Sequence, residues 1–244
     1  GDGRYESEFV LIATGSSPAR PPIPGLEDAE VLTSREALEL QETPKSIAII
    51  GGGYIGMEFA SLFSKLGSKV SVIEMMPEIV PMLGPSLAKR LRTSIKGVEY
   101  HLSARVTGVS AGAVHISKDD GTDSTIEADK ILLSAGRRPN TESAGVGAAG
   151  IDIDRKGIVV NEYMQTNLPR VYACGDVTGR ALLAHTASRM GEVAIDHMFN
   201  ATGAAAGRKV HHNRMRYDAV PWVVFTSPEV AGCGLTLEEA ESRG

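Results

Sequence analysis

The stretch "SIAIIGGGYIGMEFASLFSKLGSKVSVIE", residues 46–74, constrains the fold of this chain more than any other. A β-branched apolar run closes on Gly51, Gly53 and Gly56; apolar residues then recur at helical spacing as far as Gly67, and a second apolar run ends on Glu74. Continuous apolar runs suit strands buried on both faces, so the order strand, glycine turn, helix, strand predicts a parallel βαβ unit.

In such a unit the first glycine permits a tight turn, the second lets backbone approach a pyrophosphate, and the third lets helix and strand pack closely. The helix N-terminus faces the phosphates with its N–H groups and the positive end of its dipole. Glu74 stands where an acid accepts hydrogen bonds from ribose hydroxyls, and its charge opposes a 2′-phosphate, so NAD is expected rather than NADP. The structural alternative is a glycine turn that binds nothing. "GVGAAG", Gly145 to Gly150, has the same spacing but follows the loop-like "RRPNTESA" and precedes no helix; it reads as a loop.

Among the 244 residues, 42% are hydrophobic, enough for one large domain or two ordinary ones. The net charge is -5 and Lys and Arg are scattered, which argues against a nucleic-acid groove or a polybasic membrane patch and favours a small-molecule partner. Apolar runs such as "AVPWVVF" fall well short of the roughly 20 residues that span a bilayer. Cys174 and Cys233 lie too far apart in sequence for a disulfide framework or a spaced zinc ligand set; both read as buried, inert thiols of a reducing, cytoplasmic compartment, and no metal is expected. The chain begins at Gly1 and stops just after the helix-like "TLEEAESRG", so both ends read as cut from something longer.

Elsewhere "EFVLIATG" predicts a strand, "SSPARPPIPG" a proline-rich connector, and "SREALEL" a helix capped by Ser34. A helix over "PSLAKRLRTSIK" leads into residues 98–136, whose polar–apolar alternation predicts antiparallel strands before the buried strand "KILLSAG". "RVYACGD" then predicts a strand, "LLAHTASRMGEVAIDHMF" a helix, and residues 219–236 a β-rich segment; "ATGAAAG" is a low-complexity patch.

With "ATGSSP", "GGGYIGME", "AGRRPN", "YACGDVTG" and "SPEVAGCGLT" in this order, the whole chain resembles the pyridine nucleotide-disulfide oxidoreductases, and within them the dihydrolipoamide dehydrogenase branch most closely. The resemblance implies an α/β fold: a Rossmann-like NAD-binding domain, a parallel sheet with an antiparallel meander, inserted in a partial FAD-binding domain, plus the start of an α+β interface domain. It assigns residues 1–34 and 141–213 to the FAD-binding domain, 35–140 to the NAD-binding domain and 214–244 to the interface domain. For NAD it implies Gly51, Gly53, Tyr54, Ile55, Gly56, Glu58, Glu74, Val106 and Gly136, with Ile55 and Glu58 near the nicotinamide half and Val106 against the adenine. For FAD it implies Thr14, Gly15 and Ser16 near the nucleotide, Gly175 and Asp176 at the ribitol chain, and Leu182, Leu183, Ala184 and His185 at a helix start beside the flavin ring. Apart from the resemblance, Asp176 reads as a turn or capping residue and His185 as structural. Arg137 and Arg138 fit either a phosphate clamp or a solvated pair.

The family passes electrons through a redox-active cysteine pair, and neither Cys174 nor Cys233 has a neighbouring cysteine. The family's first glycine motif for FAD and its C-terminal His-Glu pair are also outside these residues. The expectation is therefore the central part of a homodimeric flavoenzyme, one that can belong to a 2-oxo acid dehydrogenase complex. No catalytic residue lies in this chain; by itself it is expected to be inactive and to hold no FAD tightly. Mercuric reductase and other disulfide or quinone reductases are alternatives within the class. A non-catalytic NAD-binding module is the alternative outside it.

Overall fold

The computed structural model describes residues 5–142, 145–201 and 213–243; most of the "ATGAAAG" patch lies outside them. Its strands are β1 (Val10–Ile12), β2 (Ser16–Pro18), β3 (Val31–Leu32), β4 (Ser46–Ile50), β5 (Lys69–Ile73), β6 (Val98–His101), β7 (Ala104–Ser110), β8 (Ala113–Lys118), β9 (Asp123–Glu127), β10 (Lys130–Leu133), β11 (Arg137–Pro139), β12 (Val171–Ala173), β13 (Pro221–Val224) and β14 (Val230–Cys233). The helices are α1 (Ser34–Leu38), α2 (Tyr54–Lys65), α3 (Gly84–Ser94), α4 (Ala184–Ala201) and α5 (Leu237–Arg243). Two compact units result, one from the residues up to Ser17 and from Arg137 to Val220, the other from Pro18 to Gly136 and from Pro221 onward. In chain order the second unit interrupts the first.

The second unit is built on a parallel sheet in the order β3-β10-β4-β5-β6. Successive side chains of a strand point to opposite faces, and here both faces are covered. Ile47, Ile49, Val70, Val72 and Leu132 face a core shared with Met57, Phe59 and Phe63 of α2 and Ala88 and Leu91 of α3. Ala48, Ile50, Ile73, Ile131 and Leu133 face the opposite way, onto Val109, Val114, Ile116 and Ile126 of an antiparallel meander, β7-β8-β9. The α/β class and the parallel sheet with its meander are those expected.

Three local expectations change. Residues 98–101 are the parallel edge strand β6, not part of the antiparallel meander, because α3 carries the chain back across the sheet before they pair with β5. The cap of α1 is Thr33 and not Ser34: Thr33 Oγ1 accepts from Arg35 N at 3.3 Å and Glu36 accepts from Thr33 N at 2.8 Å, a reciprocal capping box. Cys174 is buried, and burial pushes its thiol pKa up, but Cys233 is exposed, since it ends β14 on the outward side of the two-stranded hairpin β13-β14. The compact units also part at different positions from those expected of the domains: β3 pairs with β10, and Leu26 is buried against the meander, so residues 18–34 pack with the parallel sheet.

In the first unit, β1 and β12 pair in parallel, and Met190, Val193, Ala194 and Met198 of α4 bury against Tyr172, Ala173, Ile158 and Val146. Among the described residues no helix is long and apolar enough to cross a membrane.

Tyr100, on β6, packs against the helix-side core with its hydroxyl buried and without a hydrogen-bond partner. Burial pushes its pKa up to about 12 from an ordinary 10.0. An acid raised on folding favours the native state fully below its unfolded pKa and loses that advantage as pH climbs toward the folded value. Tyr100→Phe is therefore expected to leave stability at pH 7 unchanged or higher by about 1 kcal/mol, and to flatten the loss of stability between pH 10 and 12. Urea titrations at pH 7, 10 and 11 check this; a loss above about 1 kcal/mol at pH 7 would show that the hydroxyl has a partner.

Candidate functional site

The glycine turn sits where β4 and β10 end side by side. β4 continues through α2 to β5 on one flank, while β10 arrives from later in the chain on the other, which makes this crevice the switch point of the sheet. Gly51 has φ 108°, and a Cβ there would meet the Ser134 carbonyl oxygen at 2.5 Å. A Cβ on Gly56 would lie 2.0 Å from the Gly51 carbonyl oxygen, so α2 can approach the turn this closely only with glycine. Gly53, the N-cap of α2, differs: a Cβ there would meet nothing within 4 Å, and no side chain caps the helix. The bare backbone of Gly53 thus borders open space at a helix N-terminus.

Glu74 follows β5 directly and is 9% exposed. Its Oε2 accepts from Gly52 N at 2.7 Å and its Oε1 from Met76 N at 2.8 Å. An ionised carboxylate has about four lone-pair positions, so two remain for further donors. The start of β7 is tied to the same place, since Ala104 N donates to the Glu74 carbonyl and Ser103 N to that of Met76. Val106, two residues further on, is half-buried against the meander core. On the other flank Ser134, after β10, donates from Oγ to the Gly51 carbonyl at 2.9 Å, and Gly136 follows with φ 101°.

Tyr54 and Ile55 form the first turn of α2 and pack on the helix-side core. Glu58, one turn on, accepts from Phe225 N at 2.9 Å, and Ser61 accepts from Ser227 N at 3.0 Å, so α2 binds the start of the β13-β14 connection through two side chains.

In the first unit Ser16 Oγ donates to Asp176 Oδ2 at 2.6 Å. Arg137 closes this cluster, donating from Nε to Ser16 Oγ at 2.7 Å and from Nη2 to the Ser16 carbonyl at 2.6 Å, with Nε 3.8 Å from Asp176. Arg137 is therefore bound inside the unit, while Arg138 pairs with Glu142 on the surface. Thr14 exchanges hydrogen bonds with Asn140, and the Asn140 amide donates to the Gly15 carbonyl. Gly175, at φ 74°, opens the turn that carries Asp176, and a Cβ on it would press on Ala187 at 3.3 Å, which sets the first turn of α4 against it. Leu182 and Leu183 lead into that turn, which Ala184 and His185 begin.

Gly52, Ser134, Arg137 and Asn140 complete these clusters although the motifs do not single them out as binding residues. Of these, Arg137 stood out in the sequence as one of an arginine pair, and Ser134 as a polar residue between a buried run and a glycine. Among the described residues no three His, Cys, Asp or Glu side chains gather as a metal-ligand group.

The family model described as pyridine nucleotide-disulphide oxidoreductase matches residues 1–191. The dihydrolipoyl dehydrogenase of Bacillus subtilis (strain 168) is 39% identical over 240 residues, covering 97% of this chain and 50% of the relative. That of Acholeplasma laidlawii is 44% identical over 218 residues, covering 87% and 61%. Among solved structures, the HOCl-induced flavoprotein disulfide reductase RclA from Escherichia coli, as its Cu(II) complex, superposes with a TM-score of 0.83 at 30% identity, covering 97% of this chain and 54% of that one. LpdA from Mycobacterium tuberculosis gives 0.83 at 29% identity, covering 98% and 51%. The chain spans about half the length of most of these relatives. The family match covers more than half of the chain, and the solved structures share its architecture: the chain belongs to the pyridine nucleotide-disulphide oxidoreductase family.

Proposed function

We propose that this chain is the central, NAD-binding part of a flavin-dependent oxidoreductase of dihydrolipoamide dehydrogenase type. The observation that carries the reading is the glycine turn with Glu74 bonded to it: an open Gly53 at an uncapped helix N-terminus, beside a carboxylate with lone pairs to spare. These residues fit a dinucleotide. The α2 N-terminus with Gly51, Gly53 and Gly56 takes the pyrophosphate, Glu74 the adenine-side ribose and Val106 the adenine; Ile55, Glu58 and Gly136 serve the nicotinamide half.

A flavin fits the first unit in part. Asp176, held by Ser16, keeps acceptor capacity for the ribitol hydroxyls, and Leu182 to His185 place the start of α4 for the ring. When bound, the flavin would accept the two electrons of a dithiol and the nicotinamide would take them up as hydride. What this chain contributes is binding and orientation. The whole protein is on this reading a cytoplasmic homodimer that oxidises dihydrolipoamide with NAD, and its relatives' printed names support that choice over the other reductases.

Calorimetric titration of the purified chain with NADH tests the reading. Saturable binding is expected; no binding at millimolar nucleotide would contradict it.

A further inference from the structure

Residues 75–83, between β5 and α3, form a strap across the back of the glycine turn. Val80 is β-branched, 1% exposed, and sits at φ 40° and ψ 67°, in the left-handed region that such residues rarely adopt. Backbone of this kind persists only where its surroundings over-determine it. Val80 N donates to the Gly52 carbonyl at 2.9 Å, and the Val80 carbonyl accepts from Leu83 N at 2.9 Å. Ile79 and Val80 are buried in the helix-side core. Glu78 is held from α3 by a two-pronged pair, Arg92 Nε to Oε1 at 2.8 Å and Nη2 to Oε2 at 3.1 Å, and its Oε1 also accepts from Ile79 N at 3.0 Å.

The strap and Glu74 share Gly52. That residue gives its carbonyl to Val80 and its N–H to Glu74 Oε2, while the strap's Met76 N–H takes Glu74 Oε1. Glu74, Gly52 and Val80 thus close a ring of hydrogen bonds with the chain between them. Two amides set the plane of the carboxylate and so the direction of the lone pairs left over. Slack in the strap would shift either amide and turn the carboxylate.

We propose that Glu78 and Arg92 are positioning residues for ribose recognition: their ion pair pins the strap, and through Val80 and Met76 the strap holds Glu74 in the orientation that accepts a free ribose and rejects a 2′-phosphate. The inference rests on the role proposed above for Glu74. Neither Glu78 nor Arg92 needs to touch the nucleotide.

The test measures NADH and NADPH dissociation constants and the melting temperature for the chain and four variants. Glu78→Gln and Arg92→Gln change the charge in opposite directions but both break the pair. Leu91→Ala is the reference, a buried α3 residue in the same core that makes no hydrogen bond to the strap. The expected result is a preference for NADH that shrinks about fivefold in both strap variants, as the loss of one well-oriented hydrogen bond gives, and is kept in Leu91→Ala although its melting temperature falls. Arg92→Lys, which keeps the charge and loses the fork, is expected to follow the strap variants. An NADH preference equal to that of the unmodified chain in Glu78→Gln and Arg92→Lys would overturn the inference, as would opposite shifts in Glu78→Gln and Arg92→Gln, which a simple charge effect produces. An unmodified chain that binds NADH without preferring it would overturn the role of Glu74 itself.

Discussion

Gly56→Ala is expected to cost about 3 kcal/mol or more of stability and to weaken NADH binding at least tenfold. The new Cβ would lie 2.0 Å from the Gly51 carbonyl oxygen and 2.7 Å from Ser134 Oγ. The first of these is backbone, so no side-chain rotation relieves it; α2 must move off the turn, and its N-terminal amides move with it. Gly53→Ala separates packing from binding. Its φ of -69° suits alanine and its Cβ would meet nothing in the chain within 4 Å, so stability should hold within about 0.5 kcal/mol. The methyl group nevertheless occupies the space through which a pyrophosphate approaches, and NADH affinity is expected to fall about tenfold. Urea unfolding and calorimetry on both variants check the pair. Normal NADH binding by Gly53→Ala would place the phosphates elsewhere.

Glu74→Arg is expected to reverse the nucleotide preference. Arginine removes the acceptor for ribose hydroxyls and supplies a charge that pairs with a 2′-phosphate, so NADH binding should weaken at least tenfold and NADPH binding should improve. The substitution also strips the acceptors from Gly52 N and Met76 N, and a buried donor without its partner costs about 1–3 kcal/mol. Titrations therefore belong well below the melting temperature of the variant. Glu74→Gln keeps one carbonyl acceptor and should fall between the two. An unchanged NADH-to-NADPH ratio in Glu74→Arg, with the protein folded, would take Glu74 off the ribose.

The parts of this structure that were legible in the sequence are those written locally. Gly51, Gly53 and Gly56 stand at fixed spacing between a β-branched run and a helical period; Gly51 and Gly56 prove to be glycine for separate steric reasons, while Gly53 borders open space. Glu74 was legible because the second apolar run ends on it. β6 was not, since an edge strand of a parallel sheet alternates in burial much as a meander strand does, and only its pairing with β5 separates them. The Ser16–Arg137–Asp176 cluster joins residues 121 and 160 positions apart, a distance over which no period or motif speaks. The strap was hidden for another reason: a left-handed valine has no sequence signature, because valine is the residue least expected there. Cys233 looked like a core thiol by residue type, and its exposure follows from the outward side of a two-stranded hairpin.

The central claim is that the glycine turn and Glu74 hold an unphosphorylated dinucleotide. It is tested most directly by titrating the purified chain calorimetrically with NADH, NADPH and ADP-ribose. The account predicts saturable binding of NADH and ADP-ribose at one site, with NADPH at least tenfold weaker. Binding of NADPH as tight as NADH, or no binding of any of the three to a folded chain, would contradict it.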